Sequence, residues 1–207
     1  MQGSSEHGAT PPGLRERNKL RTRQEIADAT LRLATERGLE HVTVEQIATA
    51  ADVAPRTFFR YFDSKEDALL ADHSERLELL RETLRGRPAD EGPLTAVRAA
   101  ILEVVGDFEE QREPMLCKME LMQANPGLRA HSLERMGDME RTLASALADR
   151  TGVDPETDLR PRLIAGAVVV AMRVAVEQWG EGGGHGDLRD MVERALDLLD
   201  GGLDHSI

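Results

Sequence analysis

The residues best suited to do chemistry are Arg56, Phe59 and Arg60, in the stretch P-R-T-F-F-R-Y-F from Pro55 to Phe62. At i, i+3 and i+4 they share one helix face, while Phe58 and Phe62, four apart, lie on another and turn inward. Cations flanking an exposed ring suit a nucleic acid: guanidinium groups meet phosphates and guanine edges, and the ring lies against a thymine methyl. Nothing here makes or breaks bonds. The six histidines, at 7, 41, 73, 131, 185 and 205, are scattered, and no H-E-x-x-H, C-x-x-C or P-loop occurs, so no catalytic residue, metal or cofactor is expected. The glycine-rich run G-E-G-G-G-H-G follows a helix-like pattern and lacks the Lys-Ser/Thr of a phosphate loop, so it reads as a connection between helices. The single cysteine, Cys117, lies between Met115 and Met119 and reads as a small core residue in a reducing compartment.

The elements that must position the Arg-Phe-Arg face lie just before it. Thr43 and Gln46 fit a capping box. Val44, Ile47, Ala48 and Ala51 then recur as the inner stripe of a short helix. Asp52 to Ala54 make a turn, and Pro55 suits the first position of a second helix, where its missing N–H costs nothing. Upstream, Arg15, Arg17, Lys19, Arg21 and Arg23 read as a basic arm toward a DNA backbone or minor groove. Thr22 is expected to cap a first helix that ends at Gly38.

The run T-V-x-x-I-A-x-x-A-x-V-A-P-R-T-F-F-R-Y-F-x-S-K-E-D resembles the DNA-binding domain of the TetR family of bacterial transcriptional regulators, with the match extending from about Arg15 to Leu70. Asp52 stands where a turn glycine is usual, Ala54 where a capping serine is usual, and Phe59 where tyrosine is usual. The resemblance implies an all-α homodimer that docks two reading helices on operator DNA, most often as a repressor released by an effector. It further implies that Pro55, Arg56 and Phe59 meet base edges and that Thr43, Thr57, Arg60, Tyr61 and Lys65 hold phosphates.

Charge is consistent with this division. The chain carries −12 overall, yet residues 1–65 hold ten Lys/Arg against nine Asp/Glu, so the acidity lies in the remainder. Residues 1–13 read as a disordered tail, 14–63 as a three-helix head with the helix-turn-helix, and 64–207 as an effector-binding and dimerisation domain. About nine helices and no strand are expected, the fourth running from a Ser64 cap through Leu84. No apolar run reaches the ~18–20 residues of a membrane span, and a cytoplasmic protein is expected.

In the second domain Phe108, Met119, Met122, Met136, Met139, Met172 and Trp179 are candidates to line a pocket, because methionine repacks readily around apolar ligands. Aromatic content of only 3% suits an aliphatic effector, and this half resembles acyl-CoA-responsive members of the family. Arg173, the one cation in an apolar series from Leu163 to Val176, has three readings: a carboxylate partner in the fold, the dimer rim, or an anionic ligand head. That series needs more cover than one domain supplies, so residues 160–180 and 187–200 are expected to form the dimer interface. The competing reading is a helical lipid or acyl carrier, or an enzyme, with an incidental helix-turn-helix motif.

Overall fold

The computed structural model describes residues 13–106 and 111–201. The tail expected over 1–13 falls, except for Gly13, outside the described residues, as does Phe108. Among the described residues there are ten α-helices, one 3-10 turn and no strand. The head comprises α1 (Leu14–Arg37), the turn Leu39–His41, α2 (Val44–Ala50), α3 (Pro55–Tyr61) and α4 (Lys65–Leu69). The body comprises α5 (Asp72–Gly86), α6 (Pro93–Val105), α7 (Arg112–Ala124), α8 (Pro126–Thr151), α9 (Arg160–Glu181) and α10 (Leu188–Gly201).

Two expectations about helix ends are corrected. α1 starts at Leu14 with Gly13 before it, eight residues ahead of the expected Thr22 cap. The basic run is therefore helical, and its last member is turned inward. Arg23 lies over the Phe62 ring, 4.5 Å from the centroid, and donates to the Ala71 carbonyl at 2.5 Å. The helix expected from Ser64 to Leu84 is broken after Leu69, which adds the tenth element. Its residues serve three different cores: Leu69 packs with Ala34, Leu39 and Leu128 at the junction, Ala71 with Phe58 and Phe62 in the head, and Leu80 and Leu84 with the body. One straight helix has a single apolar stripe and could not supply all three. The Ala71 carbonyl, taken by Arg23, needs no partner within a helix.

In the body, α9 lies between α8 and α10. Its Ala165, Val168, Ala171, Ala175 and Trp179 face the core. Leu163, Val170 and Val174 lie on the opposite face and are about half exposed or more. Contrary to expectation, α9 is long and apolar enough to cross a membrane by length and composition, although part of it is core. The glycine-rich connection to α10 takes positive φ at Gly183, Gly184 and Gly186, which explains its composition. Trp179 Nε1 donates to the Gly186 carbonyl at 3.1 Å and fixes this loop as structure.

Candidate nucleic-acid interface and effector cavity

The face that carries Arg56, Phe59 and Arg60 is assembled by local chemistry. The Thr43 hydroxyl accepts the Gln46 N–H at 3.3 Å, and the Gln46 side-chain oxygen accepts the Thr43 N–H at 3.0 Å, so the expected capping box starts α2. Asp52 adopts φ 53°, the left-handed conformation that a glycine would take here, and Val53 N–H closes the turn on the Ala48 carbonyl at 2.9 Å. Pro55 then opens α3, and Ala54 supplies no side-chain cap. Phe58 is fully buried and Phe62 nearly so, with ring centroids 5.9 Å apart. That burial turns Arg56, Phe59 and Arg60 outward together; Phe59 is 56% exposed. Arg60 lies over the Tyr61 ring and donates to its hydroxyl at 3.3 Å. Thr43, before α2, is exposed, and Thr57, in α3, is half-buried.

Lys65 has a second task that its sequence context did not suggest. Its ammonium donates to the carbonyls of Leu39 at 2.7 Å and Val42 at 3.0 Å, tying the start of α4 to the segment before α2. An ammonium has three donors, so one remains for a phosphate.

The body holds a cavity of about 160 Å³ walled by Met115, Met119, Met122, Met136, Met139 and Met172. Asp72, His73, Arg76, Lys118, Arg135 and Arg173 also line it. Lys118 and Arg76 both reach the Asp72 carboxylate, at 3.2 and 2.7 Å. Burial alone would raise the Asp72 carboxyl, but these two cations outweigh it and hold the group below the ordinary carboxylate range. A larger open groove of about 660 Å³ lies between α5 and α8. Its arginines are largely committed already: Arg87 to Glu91, Arg141 to Asp138, and Arg150 to backbone carbonyls. The methionine-lined cavity, with its mostly apolar wall, is the better candidate site.

Comparison with known proteins decides the family. The family model described as "Bacterial regulatory proteins, tetR family" matches residues 26–71, and that of the MftR C-terminal domain matches residues 91–204. The HTH-type transcriptional regulator TcmR of Streptomyces glaucescens is 41% identical over 174 residues, 81% of this chain and 77% of that protein. The chain belongs to the TetR family. The HTH-type transcriptional repressor KstR of Rhodococcus jostii (strain RHA1) is 33% identical over 132 residues, 61% of this chain and 60% of that one. Among solved structures, Thermus thermophilus FadR, a TetR-family repressor in complex with lauroyl-CoA, superposes with a TM-score of 0.58 at 25% identity, covering 89% of this chain and 95% of that one. This TetR-family chain is a DNA-binding transcriptional regulator and not an enzyme.

The expected pocket residues fare unevenly in this TetR-family body. Met119, Met122, Met136, Met139 and Met172 line one cavity. Trp179 does not join them: it lies one turn beyond Val176 on the same face of α9, buried, with its indole N–H donated to the Gly186 carbonyl of the glycine loop. Arg173 pairs with Glu177 at 2.8 Å on its own helix while bordering the cavity. Sequence reasoning counts Met115 among the methionines suited to a pocket and gives Arg173 a ligand-head reading, but it missed Asp72, His73, Arg76, Lys118 and Arg135 in the lining. The available signal was local: Lys118 lies one turn from Met115 and Met122, and Arg135 adjoins Met136.

His73 is the most exceptional of the missed residues. Its Nε2 is buried without a hydrogen-bond partner among the described residues. Burial lowers its pKa from 6.5, with Arg76 acting the same way and Asp138 and Asp72 opposing. A histidine held neutral in the fold stabilises above its unfolded pKa, and that contribution is lost as pH falls through 6.5 toward the lower folded value. His73→Gln should therefore flatten the fall in Tm between about pH 7 and pH 5 relative to wild type. Parallel Tm–pH curves for the two proteins would assign the pH dependence to other groups.

Proposed function

We propose that this regulator is a cytoplasmic repressor that binds a near-palindromic operator as a homodimer and leaves it when an amphipathic effector enters the methionine cavity. The observation that carries the DNA half is the outer face of α3, where Arg56, Phe59 and Arg60 stand exposed over buried Phe58 and Phe62. In this reading Pro55, Arg56 and Phe59 approach base edges in the major groove. Thr43, Thr57, Arg60, Tyr61 and the remaining donor of Lys65 meet phosphates. The dimer forms through α9 and α10, using the open face of Leu163, Val170 and Val174 with Leu198. Two heads then fall about one helical turn apart, ~34–36 Å, on successive major grooves.

The effector half rests on the cavity. A volume of about 160 Å³ is smaller than the ~300–1,000 Å³ of usual ligand sites, so a ligand must open it. Six flexible methionines allow that, since each can turn to make room for a chain. Lauroyl-CoA is bound by the T. thermophilus FadR of the same fold, and an acyl-type effector fits this lining.

Arg56→Ala tests the base contact. Operator affinity should fall by roughly 1–3 kcal/mol, with preference relaxed at one operator position and the salt dependence nearly unchanged. A uniform loss on all sequences, with a salt slope smaller by about one, would make Arg56 a phosphate contact instead.

A further inference from the structure

Arg135 belongs to two places at once. Its side chain is part of the wall of the methionine cavity, and its guanidinium pairs with the Asp67 carboxylate of α4. Asp67 is only 12% exposed, and both of its oxygens are engaged. Oδ2 accepts the Ser64 hydroxyl at 2.8 Å, while Oδ1 takes His131 Nε2 at 2.9 Å together with Arg135. Ser64 Oγ in turn accepts the Asp67 N–H at 3.0 Å, so this carboxylate is built into the first turn of α4.

The two ends of this contact lie in different parts of the molecule. α4 starts four residues after Tyr61, the end of the reading helix, and Lys65 ties it to the head through the Leu39 and Val42 carbonyls. His131 and Arg135 lie on α8, which supplies Met136 and Met139 to the cavity. Beside them the junction is apolar, with Leu128 of α8 against Ala34, Leu39 and Leu69. Apolar contacts tolerate sliding because they are non-directional, whereas a nearly buried carboxylate held by directed donors defines one position.

The cavity is equipped for an acidic group next to Arg135. Arg76, Lys118 and Arg135 all line it, and Asp72 is the lining carboxylate that Arg76 and Lys118 already share. His73, also in the lining, has an Nε2 without a hydrogen-bond partner among the described residues. An anion entering here competes with Asp67 for the same guanidinium, and its own charge repels the Asp67 carboxylate.

We infer that the effector carries an acidic head which Arg135 takes in exchange for Asp67, and that this exchange frees α4 and lowers operator affinity. The inference rests on the effector-released reading above and adds the head-group chemistry and the switch residue. Arg135 acts on DNA only through Asp67, so it is a positioning residue for the head.

The test uses full-length protein, a DNA fragment that wild type selects from a genomic library, and three probes sharing one tail: dodecanoate, dodecyl phosphate and dodecanol. At least one acid should lower operator affinity about tenfold at a concentration where dodecanol does nothing; which acid acts tells a carboxylate head from a phosphate head. Asp67→Asn should lower operator affinity by a similar factor without any probe and respond little to the acids. Arg135→Gln should lose the discrimination between acid and alcohol, and Arg135→Lys should restore part of it. Thermal unfolding of each variant checks that the fold persists. Dodecanol acting as well as the acids, no probe acting, or wild-type operator affinity in a folded Asp67→Asn would each overturn the inference. Failure of wild type to select any DNA would instead overturn the regulatory reading beneath it.

Discussion

Val170→Glu is expected to split the dimer and abolish operator binding while leaving each subunit folded. Val170 is 51% exposed in the single chain, with Leu163 at 72% and Val174 at 48% along the same stripe of α9. Because the side chain already meets water in the subunit, a carboxylate there disturbs no core. About a two-fold axis the same substitution appears twice at one interface, and an unpaired charge buried there costs several kcal/mol. A split dimer also loses the advantage of two heads held together, commonly a factor of ~10²–10⁴ in affinity. Leu198→Glu on α10 is the matching variant, since Leu198 is 42% exposed. Leu199 is unsuitable because it packs against the body core, where a charge would damage the fold directly. Sedimentation decides the matter: dimers of unchanged affinity from both variants would place the interface on another surface.

Phe58→Ala is expected to remove DNA binding by a different route, unfolding the head. Phe58 is fully buried, stands edge-on to Phe59 at 5.5 Å and packs with Phe62. Truncating such a ring costs about 3–5 kcal/mol, a large share of what a small helical head has to lose. Its neighbours cannot close the gap cheaply. Phe62 is held under Arg23, Ile26 belongs to the long helix α1, and Ile47 to α2, whose start is fixed by the capping box. The body core is a separate cluster of side chains, so its helices should persist. Circular dichroism during heating should show an early partial loss of helix ahead of the main transition, with no operator shift. Native-like melting with intact DNA binding would mean that Phe58 does not carry the head.

These expectations draw on both sources of information. The lateral order of the head was legible in the sequence because it depends on neighbours three or four residues apart. The Thr43–Gln46 box, the left-handed Asp52, Pro55 at the helix start and the inward Phe58 and Phe62 all follow from local spacing. The Thr22 cap failed because a basic run of good helix formers extends α1 back to Gly13.

The sequence by itself determined the helical class, the exposed Arg-Phe-Arg face of α3 and the methionine-rich character of the body, since periodicity and residue type are properties of short windows. Only the tertiary structure decided which polar groups meet. Asp67 finds His131 and Arg135 some 64 or more residues away, Lys65 caps carbonyls 23 and 26 residues back, and Trp179 bonds to its own loop. These pairings arise because each buried donor or charge must find a partner in the packed chain, and that partner is set by how helices cross, which no local spacing encodes.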